Sequence, residues 1–221
     1  MNTEGKRYFE GKAAEEFDAI YDDRGSTYAR LINRVFRKGI RERVALTLKE
    51  CEGRTGTVLD IGCGSGRVSL LMARKGLKVV GVDYSASMIQ LAERYLQEER
   101  RRNPGELEVE FVEADFMAGF DADRAFDITV ALGVFDYIDQ PKPFLHKMRR
   151  LSKEMMIAAF PDRYAFQMPI RKLWLYTRGC PVYFYSARDI RRLYGSEGIE
   201  NYEITKVAAG FFVKATFAPA S

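Results

Sequence analysis

Three acidic residues at the ends of apolar runs, and one glycine-rich turn, are the residues in this chain with the types and spacing to do chemistry. Asp60 stands just before Gly62-Cys63-Gly64-Ser65-Gly66, Asp83 follows 23 positions after Asp60, and Asp115-Phe116 follows Glu113-Ala114. Glycines at these places allow positive φ and let a ligand approach the backbone without Cβ collisions. A carboxylate such as Asp83 can accept hydrogen bonds from both hydroxyls of a ribose. Asp115 can accept from the amino group of an adenine, and Phe116 can stack on the ring. Each acid alone could equally cap a helix or solvate a loop. Their recurrence at one strand end after another points to a bound nucleoside.

A nicotinamide or flavin dinucleotide competes for any glycine turn after a strand. Its fingerprint needs a third glycine for close helix–strand packing where Arg67 stands here. It also sets a pyrophosphate on the helix N-terminus, and Asp60 just before the turn would repel that anion. A phosphate-free nucleoside carrying positive charge is compatible with the same carboxylate and is favoured.

Alternating strands and helices must bring these residues to one edge. Thr57 to Ile61 reads as a short buried strand, and Arg67 to Lys75 as a helix stopped by Gly76. Lys78 to Val82 is a second strand ending at Asp83, and Ser87 to Arg101 a long helix closed by Asn103-Pro104-Gly105. Strands at Glu108 to Val112 and Phe126 to Ala131, a helix at Pro143 to Leu151 and a strand at Glu154 to Phe160 follow. This alternation requires parallel strands with helical crossovers, and ligands of such sheets sit beyond the carboxyl ends of the strands. Ile199 to Val207 and Phe211 to Phe217 are joined by Ala208-Ala209-Gly210, too short for a crossover, so these two must pair antiparallel. The predicted fold class is α/β: a Rossmann-like sheet, mostly parallel, with an antiparallel C-terminal hairpin and helices on both faces.

With 47% hydrophobic residues in 221, the chain can bury a core without disulfides. Cys51, Cys63 and Cys180 show no metal-ligand spacing, which fits free thiols in a reducing cytoplasm and no metal site. No apolar run approaches the roughly 18–20 residues of a membrane span. The polar start, Met1 to Lys6, lacks the apolar segment of a secretory signal. A cytoplasmic protein without membrane insertion is expected. The net charge of +4 is small, and Arg100-Arg101-Arg102, Arg149-Arg150 and Arg191-Arg192 read as solvated helix faces. Nucleic-acid binding would need them gathered on one face with aromatic platforms. Residues 13–50 look helical, interrupted around Arg24-Gly25-Ser26; residues 1–50 are expected to form an N-terminal helical cap, by packing or as a lid, on a domain spanning 51–221.

Val58-Leu59-Asp60-Ile61-Gly62-Cys63-Gly64-Ser65-Gly66 resembles the first motif of the class I S-adenosylmethionine-dependent methyltransferases. Val82-Asp83-Tyr84-Ser85-Ala86-Ser87-Met88 resembles their second, Glu113-Ala114-Asp115-Phe116 their third, and Phe126-Asp127 with Val130-Ala131-Leu132 their fourth. The four stand in order over about residues 56–160. The resemblance implies a seven-stranded sheet whose last strand is antiparallel, S-adenosylmethionine as cofactor, and methyl transfer as the activity. By it, Asp60 with Gly62, Cys63, Gly64 and Gly66 holds the methionine part of the donor, and Asp83 binds the ribose. Tyr84 and Met88 flank the adenine, Asp115 and Phe116 complete its pocket, and Leu132 lies with Gly133 near the sulfonium. Tyr21, in the N-terminal cap, is counted with the donor-binding residues. Tyr8-Phe9, Phe17-Asp18 and Ile20-Tyr21 more weakly resemble the magnesium-protoporphyrin O-methyltransferases. In that family a histidine–tyrosine pair follows the fourth strand, where Phe135-Asp136-Tyr137 stands here.

Methyl transfer from a sulfonium is an in-line displacement, so alignment and exclusion of water are the protein's main tasks. A general base is needed only if the acceptor must lose a proton, as a hydroxyl does. Asp136 and Tyr137, after the fourth strand, are the first candidates; His146, the only histidine, falls within a helix and also reads as structural. Acceptor specificity is expected in the N-terminal helix and in an aromatic-rich insertion at about 161–186, which forms either a cap over a flat or apolar substrate or an ordinary helix and loop. The expected reaction is O- or N-methylation of a small-molecule acceptor, with a homodimer left open. An RNA methyltransferase and a non-catalytic S-adenosylmethionine-binding partner subunit are the alternatives. Enzymes that methylate exocyclic base amines commonly carry Asn/Asp-Pro-Pro-aromatic after the fourth strand, whereas Leu132-Gly133-Val134-Phe135-Asp136-Tyr137 has no proline pair, so nucleic acid is not the expected partner.

Overall fold

The computed structural model describes residues 27–123, 125–165 and 182–218, with side chains from Lys38 onward. Tyr21, the interruption at 24–26, Cys180 and most of the aromatic insertion lie outside the described residues.

The elements run α1 (Thr27–Glu50), β1 (Thr57–Ile61), α2 (Arg67–Ala73), β2 (Lys78–Asp83), α3 (Ala86–Arg102) and β3 (Val109–Glu113). They continue with β4 (Phe126–Ala131), α4 (Pro141–Arg150), β5 (Ser152–Pro161), α5 (Ala187–Gly195), β6 (Tyr202–Val207) and β7 (Gly210–Thr216). All seven strands lie in one sheet in the order β3-β2-β1-β4-β5-β7-β6. Strands β1 to β5 are mutually parallel, and β7 runs antiparallel to both β5 and β6. The expected mixed sheet with its antiparallel hairpin is therefore present. Chain order reverses between β1 and β4, and at such a switch point the loops leaving the two strands part and open a crevice at their carboxyl ends.

Period-two alternation assigns the two faces. Val58, Ile128, Val130 and Ile157 lie on one face, under Met72 and Ala73 of α2 and Leu46 and Leu48 of α1. Leu59, Ile61, Met156 and Ala158 lie on the other, under Phe144, Leu145 and Met148 of α4 and Ile190, Leu193 and Tyr194 of α5. Leu96 and Ala92 of α3 join Leu70 and Phe111 in a smaller cluster beside β3. Each fully buried large apolar side chain contributes about 1.5–3 kcal/mol.

Helix α5 has no counterpart among the expected elements. It opens with a capping box in which Ser186 accepts from the Asp189 N–H and the Asp189 side chain accepts from the Ser186 N–H. That Ser-x-x-Asp spacing was its sequence signal. Ile199, expected in a strand, instead donates its N–H to the Tyr194 carbonyl and closes the turn after α5, so β6 starts only at Tyr202. Helix α1 lies over the β6–β7 turn, where Glu42 accepts from the Ala208 N–H at 2.7 Å, and over β7, where Glu50 pairs with Lys214 at 3.2 Å. Among the described residues, no helix is long and apolar enough to cross a membrane.

Candidate functional site

The turn between β1 and α2 is built on three left-handed glycines, Gly62 (φ 69°), Gly64 (φ 54°) and Gly66 (φ 73°). They are required for different reasons. A Cβ on Gly62 would come within 2.4 Å of Val134, and one on Gly66 within 2.4 Å of the Phe111 ring, so both exist for close packing. A Cβ on Gly64 would meet no protein atom within 4 Å. Its position is the one where a ligand can come up against bare backbone. The N–H groups of Gly62 and Cys63 both donate to the Val82 carbonyl, at 2.7 and 3.1 Å, which seats the turn on the end of β2.

Asp83 completes that seat. Its Oδ2 accepts from the Gly64 N–H at 2.9 Å and its Oδ1 from the Ser85 N–H at 3.0 Å. The carboxylate is 9% exposed, and burial raises its pKa against the backbone N–H groups that lower it. A carboxylate offers about four acceptor sites, so each oxygen keeps capacity for a further donor. Asp60 is 3% exposed and takes a hydrogen bond from the Ser69 hydroxyl at 2.6 Å. Burial pushes its carboxyl up to about 6, the Ser69 bond pulls it down, and the neighbouring Asp83 charge pushes it up again. Burial and the same two carboxylates hold the Cys63 thiol well above its usual range, so it stays protonated. Two acids meeting at one turn make the site attractive to a cation.

Tyr84 is half-buried at the end of β2, and Met88 is buried in the first turn of α3, which Ser85 caps. Asp115 is half-buried after β3 and accepts from the Met117 N–H at 2.9 Å. The Phe116 ring is only 6% exposed and packs on Phe144, with centroids 4.9 Å apart, and on Phe120. Lys147 lies over the same ring at 5.0 Å and donates to the Phe116 carbonyl. The structure thus sets the ring into the core beneath α4. Leu132 and Gly133 follow β4, and a Cβ on Gly133 (φ 88°) would lie 3.2 Å from the Arg43 guanidinium of α1.

Asp136 and Tyr137 are both buried after β4. The Asp136 carbonyl accepts from the Tyr183 N–H at 2.8 Å, and the Tyr185 hydroxyl donates to the Phe135 carbonyl at 3.3 Å. The last residues of the insertion are thereby pinned to the end of β4. Burial first, then the Asp136 carboxylate, holds the Tyr185 phenol above its ordinary range. His146 is not brought to these strand ends. Its side chain is 60% exposed and its Nδ1 lies 2.7 Å from Glu197, which follows the C-terminus of α5 at the opposite edge of the sheet.

Residues 58–155 match the family model described as a methyltransferase domain. The structure also superimposes on the magnesium protoporphyrin IX methyltransferase of Synechocystis PCC 6803, solved with bound SAH, with a TM-score of 0.76 at 20% identity over 96% of this chain and 98% of that one. This chain has the class I methyltransferase fold. Among curated proteins with a similar sequence, a ubiquinone biosynthesis O-methyltransferase of Alkalilimnicola ehrlichii is 33% identical over 50% of this chain and 42% of its own length. A demethylmenaquinone methyltransferase of Renibacterium salmoninarum is 29% identical over 67% of this chain and 60% of its own length. The matches span about half the length of these relatives.

On this methyltransferase fold, two residues that the sequence motifs do not include stand close to the candidate site. Arg43 reaches Gly133 across 90 positions of chain, and its Nε is buried without a hydrogen-bond partner. Ser69 reaches Asp60 from inside α2. Neither contact has a local spacing signal, because each depends on how a helix packs.

Proposed function

We propose that this protein binds S-adenosylmethionine across the carboxyl ends of β1 to β4 and transfers its methyl group to a small-molecule acceptor. The observation that carries the donor assignment is the hydrogen bond from Gly64 to Asp83. It makes one unit of a bare, left-handed backbone position and a carboxylate suited to ribose hydroxyls. The remaining groups fit the same ligand. Asp60 and Asp83 favour a cationic ligand, and the orphaned Arg43 Nε suits the donor's carboxylate.

S-adenosylmethionine supplies an electrophilic methyl on a sulfonium. The chain's residues align and shield it. Asp83 accepts from the ribose, Tyr84 and Met88 flank the adenine, and Asp115 receives its amino group. Phe116 shapes that pocket from the core, and Leu132 and Gly133 border the reacting sulfur. For a hydroxyl acceptor, Asp136 takes the departing proton, with Tyr137 beside it. Residues 51–221 serve as the methyltransferase domain, and the N-terminal segment, whose helix α1 brings Arg43 to Gly133, serves as its cap.

The similar proteins named above are a ubiquinone biosynthesis O-methyltransferase, a demethylmenaquinone methyltransferase and a magnesium protoporphyrin IX methyltransferase. A ring-bearing small molecule methylated at oxygen or nitrogen is the acceptor class proposed here, supported by the tyrosines at 183 and 185 beside Asp136. Calorimetry with adenosylhomocysteine, followed by turnover of methyl-labelled donor on phenolic and porphyrin acceptors, tests the proposal. Binding with turnover is expected. Binding without turnover on any acceptor would assign a non-catalytic role, and no binding at saturating ligand would remove the donor site.

A further inference from the structure

We propose that Ser69 is a positioning residue of the donor site, whose buried hydroxyl, 2.6 Å from Asp60 Oδ2, keeps that carboxylate ionised at the head of the glycine loop. This rests on the donor assignment above and concerns how the site holds its charge.

Ser69 is fully buried and Asp60 nearly so. A carboxylate removed from water takes up a proton unless something favours its charged form. The groups around Asp60 give it little help. Asp83 at the end of β2 is a like charge. Burial lifts the Cys63 thiol in the loop, and lifts the Cys51 thiol after α1 to about 11, so both are neutral. The Arg43 guanidinium lies at Gly133, beyond β4. Among the described residues, Ser69 supplies the one hydrogen bond that the Asp60 side chain accepts.

Its placement within α2 is also informative. A serine inside a helix ordinarily returns its hydroxyl proton to the carbonyl one turn back. Here the proton goes to Asp60, nine positions earlier, and closes the loop onto the first turn of its own helix. Gly66 caps α2 without a side-chain bond, so Ser69 is the side chain that ties this helix to the acid. An ionised Asp60 attracts the ammonium group that the donor and adenosylhomocysteine share, and with its carboxyl at about 6 the attraction is lost as pH falls through that value.

The test is calorimetric titration of the full chain with adenosylhomocysteine from pH 5 to 8, for the parent, Ser69→Ala, Ser69→Thr and Asp60→Asn. Parent affinity should weaken below about pH 6. Ser69→Ala should move that midpoint upward by about one pH unit, which is up to about tenfold weaker binding between the two midpoints. Ser69→Thr should bring the midpoint back, and Asp60→Asn should lack the step. A Ser69→Ala profile parallel to the parent's, lowered evenly or unchanged, would overturn the inference and leave the donor site standing. A parent that binds no ligand at any pH would instead overturn the donor assignment itself.

Discussion

Two kinds of glycine occur in one turn, and substitution separates them. Alanine at a left-handed position costs on the order of 1–2 kcal/mol through backbone strain alone. Gly66→Ala adds a collision with Phe111 and should lower the melting temperature more than Gly64→Ala does. Gly64→Ala, with open space at its Cβ, should instead lose more affinity for adenosylhomocysteine; equal losses in both assays would dissolve the distinction. Asp83→Ala should weaken the same ligand by about 1.5–3 kcal/mol in calorimetry, the scale of hydrogen bonds to a charged group. Asp60 has the opposite effect on the free protein. Its folded carboxyl, at about 6, holds a proton more tightly than the unfolded chain's, so stability is present at low pH and lost as pH rises through that value. Asp60→Asn should therefore match the parent near pH 4 and exceed it above pH 7 by on the order of 1–3 kcal/mol in urea unfolding. A difference that does not grow with pH would contradict the burial of that charge.

At the scale of elements, the junction between β3 and α4 decides the role of Phe116. Composition and position suit its ring for stacking on adenine. Packing against Phe120 and Phe144 under α4 makes it a core residue first. Phe116→Ala should lower the unfolding free energy by about 3–5 kcal/mol, as expected for an emptied aromatic site. A variant of parental stability with lost affinity would return the ring to the ligand. The strands were legible because each is a short apolar run ending in a turn signal: β1 and β4 match the residues expected for them, and β2 adds only Asp83. Helix α5 is not legible from periodicity, because its apolar side is only Ile190, Leu193 and Tyr194 and its basic residues mask the period.

For the whole molecule, the N-terminal helix and the sheet act together. Helix α1 is anchored at the β6–β7 turn through Glu42 and at β7 through Glu50, and between them it delivers Arg43 to the end of β4. Since the Arg43 Nε has no partner in the folded chain, Arg43→Ala should cost stability only the packing of its stem, about 1 kcal/mol or less in urea unfolding. Affinity for adenosylhomocysteine should fall by about 1.5–3 kcal/mol, the range for a charged hydrogen bond. Binding of methylthioadenosine, which lacks the carboxylate, should be unaffected. Equal losses for both ligands would assign Arg43 to packing.

The amino-acid sequence by itself determined the class of fold, since apolar runs of strand length alternating with helical stretches admit few arrangements other than a parallel sheet. It also determined which strand ends carry acids, and that a glycine turn follows the first of them, because these are properties of neighbouring residues. Only the tertiary structure decided how those charges are held. The Gly64–Asp83 and Ser69–Asp60 bonds, the reach of Arg43, the burial of Phe116 and the pairing of His146 with Glu197 all join residues of different elements or loops. Such contacts depend on the angles and registers at which elements pack, and no local spacing encodes them.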